Sequence, residues 1–237
     1  MEKVLRVNMS TRDIREEDVP SGWERLGGRA LIPRILLDEV PPTCDPLGPM
    51  NKLIFAPGIL VGQMVSSCDR ISVGGKSPLT GGIKEANAGG STGLHMVCLG
   101  YKAVLIEGRS DPNSEFQVLV IGEDGAELHN AVDIEGLGTH DTAARLREQY
   151  GRKVSSSLIG CGGEMRMLGA GIMHLDKDGY PGRISARGGL GAVMGAKGLK
   201  AIVFDPGKSR RPQVSQPEFH TAAKKRFLKA IQDHPQT

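Results

Sequence analysis

The stretch ISARGGLGAVMGAKGLKAIVF, residues 184–204, carries five glycines and then runs straight into an apolar segment. Glycine inside regular structure costs about 0.5–1 kcal/mol relative to alanine, so this density needs a compensating gain. A second stretch shows its character. With no gap, NAGGSTGLHMVCLGYKAVLI (87–106) lies over SARGGLGAVMGAKGLKAIVF (185–204). Ala88/Ala186, Gly90/Gly188, Gly93/Gly191, Met96/Met194, Gly100/Gly198, Lys102/Lys200 and Ala103/Ala201 coincide, and the closing apolar triplets match in character. A glycine-rich loop, a short helix and a buried strand opening at a Lys-Ala pair therefore occur twice in one chain. DRISVGG (69–75) and GRISARGG (182–189) share a further Arg-Ile-Ser in another register.

Each copy carries the same physical expectation. A glycine-rich loop offers backbone N–H groups to an anion and feeds a short helix whose positive end faces the same place. Arginines stand close by: Arg70 for the first copy, Arg183 and Arg187 for the second. Arginine is suited to forked phosphate recognition, and a charged hydrogen bond contributes about 1.5–3 kcal/mol, enough to offset the glycine cost. Two such units predict two phosphates, or one ligand with two phosphate arms.

The chain of 237 residues is long enough for one large domain or two small ones. Its 33 glycines are about twice the usual share and follow no collagen-like period. An aromatic content of 4% argues against a stacking platform for single-stranded nucleic acid. The net charge of +3 is mild, and the basic runs at Lys208–Arg211 and Lys224–Arg226 read as a solvated tail, so neither nucleic acid nor membrane is expected as a partner. No signal-like or 18-residue apolar run occurs, which makes the cytoplasm the default expectation. Cys44, Cys68, Cys98 and Cys161 form no CxxC pair and read as incidental or buried thiols. His95, His140 and His174 have no partner at ligand spacing, and His95 aligns with Val193 of the second copy, a packing position; no catalytic role is assigned to them.

Strand and helix patterns alternate, which predicts a mixed α/β (α+β) architecture. EKVLRVNMSTRDIREED reads as a hairpin turning near Ser10–Thr11. GWERLGGRALIPRILLDEV has helical spacing at Leu31, Ile35 and Leu36, with Pro33 either kinking it or lying near its start. Strands are expected at 52–58, 102–108, 116–130 (as a hairpin turning at Asp124–Gly125), 153–160 and 199–207. THDTAARLREQYG predicts a helix capped by Thr139 or Asp141 and stopped by Gly151. Residues 59–100 are glycine-rich and resist assignment, and a last amphipathic helix spans FHTAAKKRFLKAIQDH.

Two motifs nearly fit nucleotide binding. GGKS (74–77) resembles the end of a P-loop but lacks the required glycine where Arg70 stands. GGLGAVMG (188–195) and LIGCGGE (158–164) resemble dinucleotide fingerprints, though the first leaves little room for a βαβ unit. A nicotinamide-dependent oxidoreductase is therefore retained as an alternative.

The segments DEVPP, DPLGPMNKLIFAPGILVG, KSPLTGG, ANAGG, GYKAVLIEG, IGCGGE and RGGLGAVMGAKGLKAI follow one another in this order. Together they resemble the N-terminal domain of the tungsten-containing aldehyde ferredoxin oxidoreductase family, from about residue 4 to 206. The resemblance implies two pseudo-symmetric β-sheet halves with short helices, forming a base for tungsten (or molybdenum) held by two pterins. It implies pterin and phosphate contacts at Arg70, Asn87, Gly89 and Arg183, with Arg187 a further candidate. It also implies Mg2+ bridging the pterin phosphates through the carbonyls of Asn87 and Ile184, Ile184 replacing a smaller residue. The domain would span 1–207, with 208–237 a linker and the first helix of a further domain.

The family's [4Fe-4S] cysteines, a CxxCxxxC run with a distant fourth, are not in this sequence, nor are its acid and histidine for the aldehyde. The chain is therefore expected to be a truncated piece, a split-gene product or a partial reading frame, inactive alone. It would work with downstream domains or a partner subunit and, in the whole enzyme, with ferredoxin. A free-standing carrier of pterin cofactor is the alternative. An apolar face left open would drive self-association, so a homo-oligomer is expected.

Overall fold

The computed structural model describes residues 2–235. Its first half runs β1 (Lys3–Asn8), β2 (Ile14–Asp18), α1 (Gly28–Glu39), β3 (Leu53–Pro57), β4 (Ile71–Lys76), β5 (Ile83–Ala88), α2 (Thr92–Cys98) and β6 (Tyr101–Glu107). The second half repeats that order as β7 (Gln117–Gly122), β8 (Gly125–Asn130), α3 (Thr139–Tyr150), β9 (Ser155–Leu158), a short α4 (Cys161–Glu164), β10 (Ile172–His174), β11 (Arg183–Ser185), α5 (Leu190–Ala196) and β12 (Leu199–Phe204). A final helix, α6 (Pro217–Gln232), has no buried residue.

Two six-stranded sheets result, β2-β1-β6-β3-β4-β5 and β8-β7-β12-β9-β10-β11. Strand for strand they are the same sheet. In each, a single parallel pair (β1 with β6, β7 with β12) sits among antiparallel ones. Even the irregularity repeats. Lys3 faces Tyr101 while Val4 faces Ala103, and Gln117 faces Leu199 while Val118 faces Ala201. Lys102 and Lys200 are thus the extra residues of equivalent bulges, which re-aim a side chain. Both are buried, and both tie down the loop before the outer helix: Lys102 Nζ donates to Glu24 O at 2.8 Å, Lys200 Nζ to Leu137 O at 2.9 Å. The identity of the Lys-Ala pair in both copies has this structural cause.

Alternation along the strands assigns each face. Ala103 and Leu105 face outward onto Leu31, Ile32 and Ile35 of α1, while Val104 and Ile106 join a central core. Likewise Ala201 and Val203 meet Ala143 and Leu146 of α3, while Ile202 and Phe204 enter that same central core. The central cluster also takes Met96 of α2 and Leu190, Val193 and Met194 of α5. Each helix packs on the other half as well as its own, α2 on β9 and β12, α5 on β3 and β4.

The glycines permit this. A Cβ on Gly93 would stand 3.0 Å from Arg70 O, one on Gly191 2.4 Å from Gly171 O, and one on Gly195 1.9 Å from Gly163 O. Gly90, at φ +103°, lies against Leu175 O of the second half, and Gly188, at φ +83°, against Lys84 of the first. Ser91 N–H donates to Leu175 O at 3.1 Å, Gly191 N–H to Ala170 O at 2.9 Å, and Ser77 Oγ–H to Gly188 O at 2.8 Å. The expectation that both loops hold their N–H groups open to an anion is corrected here. Gly188 and Gly189 of the second loop are buried, against the Lys84 side chain and Leu168 O respectively, while Ala186 and Arg187 stay exposed.

Several local expectations are also refined. Asn8 Oδ1 accepts the Ser10 and Thr11 N–H groups in the first hairpin turn. Pro33 lies inside α1, past its first turn, and so removes the N–H that Arg29 O would accept. The β7–β8 turn is Glu123–Asp124, since Gly122 already faces Gly125. Gly138, not Thr139 or Asp141, precedes α3 as its cap, with no side-chain bond, whereas Gly151 stops the helix at φ +97°. The unassigned span 59–100 contains β4, β5 and α2.

Lys197 joins the halves from within. Almost fully buried, it donates to Asn51 O at 2.6 Å and Gly108 O at 2.8 Å. Burial, reinforced by the Lys52 charge, pushes its ammonium down to about 7, against the pull of Glu107. Because the folded value lies below the ordinary 10.5, the unfolded chain binds the extra proton between the two, and stability should rise with pH across that window. Lys197→Met should flatten the slope, read as unfolding free energy at a series of pH values. In denaturant titration, Gly195→Ala should cost about 1–3 kcal/mol or more, while Gly82→Ala, in open space, should stay within about 0.5 kcal/mol.

Candidate functional site

Where the two sheets meet at β5 and β11, Ser185 Oγ–H donates to Ala86 O at 3.3 Å. Beside this junction lies an open cleft of about 470 Å³. Arg70 enters from the start of β4, Gly89 and Gly90 from the loop after β5, and Arg183 from the first position of β11. A Cβ on Gly89 would stand 3.7 Å from Arg70 Nη1 and 3.9 Å from Arg183 Cδ. Glycine there keeps open a small cradle between two arginine side chains.

The two arginines differ in their surroundings. Arg70 Nε–H donates to Asn87 Oδ1, a neutral acceptor. Arg183 lies near Asp176, whose carboxyl is held below its ordinary range first by the Tyr180 N–H and also by Arg183. Asp176 Oδ1 accepts the N–H groups of Asp178 at 2.9 Å and Tyr180 at 3.0 Å, ordering the loop that closes the cleft. This loop, with Asp69, Ser91 and Leu94, was not singled out from the sequence, although the Asp178-Gly179 pair in DKDGY is a turn signal.

Arg70, Gly89 and Arg183 therefore share one lining. Asn87 and Ile184 lie beside it, each one residue from the Ala86–Ser185 contact. Arg187 is exposed and outside the lining, at the repeat position that Gly89 holds in the first half. The histidines stay out of the cleft. His174 is fully buried between Ser157 Oγ, 2.8 Å from Nδ1, and Ser185 Oγ, 2.9 Å from Nε2, and burial pushes it down to about 3. It is a neutral packing histidine.

The nucleotide-binding alternatives lack their structural context. GGKS runs along β4 into a hairpin turn rather than a loop before a helix. GGLGAVMG lies between β11 and β12, which are not neighbours in the sheet, and LIGCGGE leads through a four-residue helix to antiparallel β10. Among the described residues no group of His, Cys, Asp or Glu is arranged to hold a metal ion, and Cys44, Cys68, Cys98 and Cys161 are all unpaired thiols. Nor is any described helix long and apolar enough to cross a membrane.

Residues 4–206 match the family described as "Aldehyde ferredoxin oxidoreductase, N-terminal domain". The chain belongs to this family. It is 40% identical over 212 residues to the tungsten-containing aldehyde ferredoxin oxidoreductase of Pyrococcus furiosus, covering 87% of the chain and 33% of that protein. The namesake from Thermococcus kodakarensis is 36% identical over 236 residues, covering 98% and 37%. Among solved structures, the active-site complex BamBC of benzoyl coenzyme A reductase, in complex with 1,5-dienoyl-CoA, superposes with a TM-score of 0.88 at 31% identity. It covers 97% of this chain and 34% of that one. The chain thus spans about a third of the length of the relatives it matches. Within this family domain, His174 should show no imidazole titration by NMR between pH 5 and 8. Its depressed value should instead cost stability as pH falls from about 6.5 towards 3, since only the unfolded chain takes up that proton.

Proposed function

We propose that this chain is the cofactor base of an aldehyde ferredoxin oxidoreductase-like enzyme, residues 1–207 forming the base and 208–237 leading to another domain or subunit. The observation that carries the reading is the meeting of Arg70 and Arg183 over the cradle at Gly89. The fit to a phosphate-bearing group is chemical. Among the described residues no carboxylate forms an ion pair or hydrogen bond with Arg70, and Gly89 removes the side chain that would fill the space between the guanidinium-bearing chains.

In this reading Arg70 and Arg183 bind the phosphate arms of a bis-pterin tungsten or molybdenum cofactor, with Gly89 giving backbone access. Asn87 and Ile184 would offer main-chain carbonyls to a Mg2+ ion, and Arg187 would be available from the repeat position that Gly89 holds in the first half. The metal–pterin group, when bound, supplies two-electron chemistry, for which aldehyde oxidation is the family's namesake reaction; the protein supplies position and charge. The iron–sulfur cluster and the exit of electrons to ferredoxin belong to parts outside this chain.

Arg183→Ala and Arg70→Ala should each lower the tungsten (or molybdenum) and pterin retained per chain after anaerobic purification, by about tenfold if one charged hydrogen-bond pair is lost. Unchanged retention in a folded variant would count against the assignment.

A further inference from the structure

The Arg70 side chain is held by a chain of hydrogen bonds that leads away from the cleft. Arg70 Nε–H donates to Asn87 Oδ1. Asn87 Nδ2–H donates to Ser72 Oγ at 3.1 Å, and Ser72 Oγ–H donates to Glu85 Oε1. Ser72 is 1% exposed, and it faces Asn87 directly in the β4–β5 register.

The direction of this chain is fixed by its far end. A carboxylate only accepts, so Glu85 sets the rotor of the Ser72 hydroxyl. The serine oxygen then accepts from the Asn87 amide, which leaves Oδ1, and not Nδ2, turned towards Arg70. The negative charge itself stays two side chains removed. Arg70 is therefore oriented without a direct ion pair, and none of the hydrogen bonds found among the described residues involves its two terminal nitrogens.

We propose that Glu85, Ser72 and the side chain of Asn87 are positioning residues that orient Arg70, still fully cationic, towards a phosphate-bearing ligand in the cleft. The proposal rests on the anion-binding reading of the cleft. It gives the Asn87 side chain a task separate from that of its carbonyl. Pseudo-symmetry does not account for the chain. Ser72 faces Asn87, whereas Ser185, at the repeat position of Asn87, faces the apolar Ile172, and the repeat places Arg183 where Glu85 stands.

The test is calorimetric titration of the protein with inorganic pyrophosphate, alongside NMR of the Arg70 Nε–H signal. Arg70→Ala should abolish measurable binding. Asn87→Ala and Ser72→Ala should each weaken it about fivefold or more and bring the Nε–H of Arg70 into fast exchange with solvent. Asn87→Asp is the discriminating variant. It keeps the acceptor and the shape, so the Nε–H signal should persist, yet affinity should fall because Arg70 is now neutralised at the site. Retained binding in Arg70→Ala would overturn the cleft reading, and the proposal with it. Loss in Arg70→Ala with full affinity in Asn87→Ala and Ser72→Ala would overturn the positioning proposal alone. Undiminished affinity in Asn87→Asp would overturn the need for a neutral acceptor, and so the proposal as stated.

Discussion

The structure depends on contact between backbones at the middle of the molecule. Gly93 on Arg70 O, Gly191 on Gly171 O and Gly195 on Gly163 O leave no room for a methyl group. These contacts let α2 and α5 sink between two sheets and share one core. Were either helix lifted by the thickness of a side chain, Met96, Leu190 and Met194 would lose neighbours on both sides. The entropic cost of ordering so flexible a set of residues on folding is offset by shared apolar packing rather than by any one bond.

That arrangement also builds the site. The close approach of Gly90 to Leu175 O brings the loop after β5 beside the β10–β11 loop, and so Arg183 of one half beside Arg70 of the other. Neither half holds the cleft alone. The two arginines are held differently, Arg183 near the Asp176 carboxylate and Arg70 bonded to the neutral amide of Asn87, while Asp69, Asp176 and Asp178 also line the cleft. In the proposed reading, a ligand with two anionic arms would meet two different environments.

The repeat was legible in the sequence because its identities fall at residues with backbone tasks. Gly90 and Gly188 turn, Gly93 and Gly191 approach, and Lys102 and Lys200 fill equivalent bulges. Alternating strands such as β1, β6 and β7 were legible for the usual reason, one face on each side of the sheet. β4 was not, because ISVGGK is buried at every position and shows no alternation. β10, β11 and α4 are too short to generate a period. At the site, arginine chemistry and family resemblance pointed to Arg70 and Arg183. At the second loop Gly188 and Gly189 pack, and in one sequence such a glycine looks the same as one left open for a ligand. Ser72 and Glu85 were invisible, for only the register of β4 on β5 puts them beside Asn87.

Two interlocked halves with one topology have the form of a dimer drawn through a single chain. A true homodimer would be bound to the same residue at both equivalent places. Here the tether at residues 108–116, between β6 and β7, lifts that obligation. Glu85 and Arg183 occupy one position of the repeat with opposite charge, and Gly89 and Arg187 another with opposite bulk. A two-armed guest with near-identical arms could not be told front from back by a symmetric host. The cofactor base proposed for this chain is asymmetric in that sense, and would offer the two arms different residues.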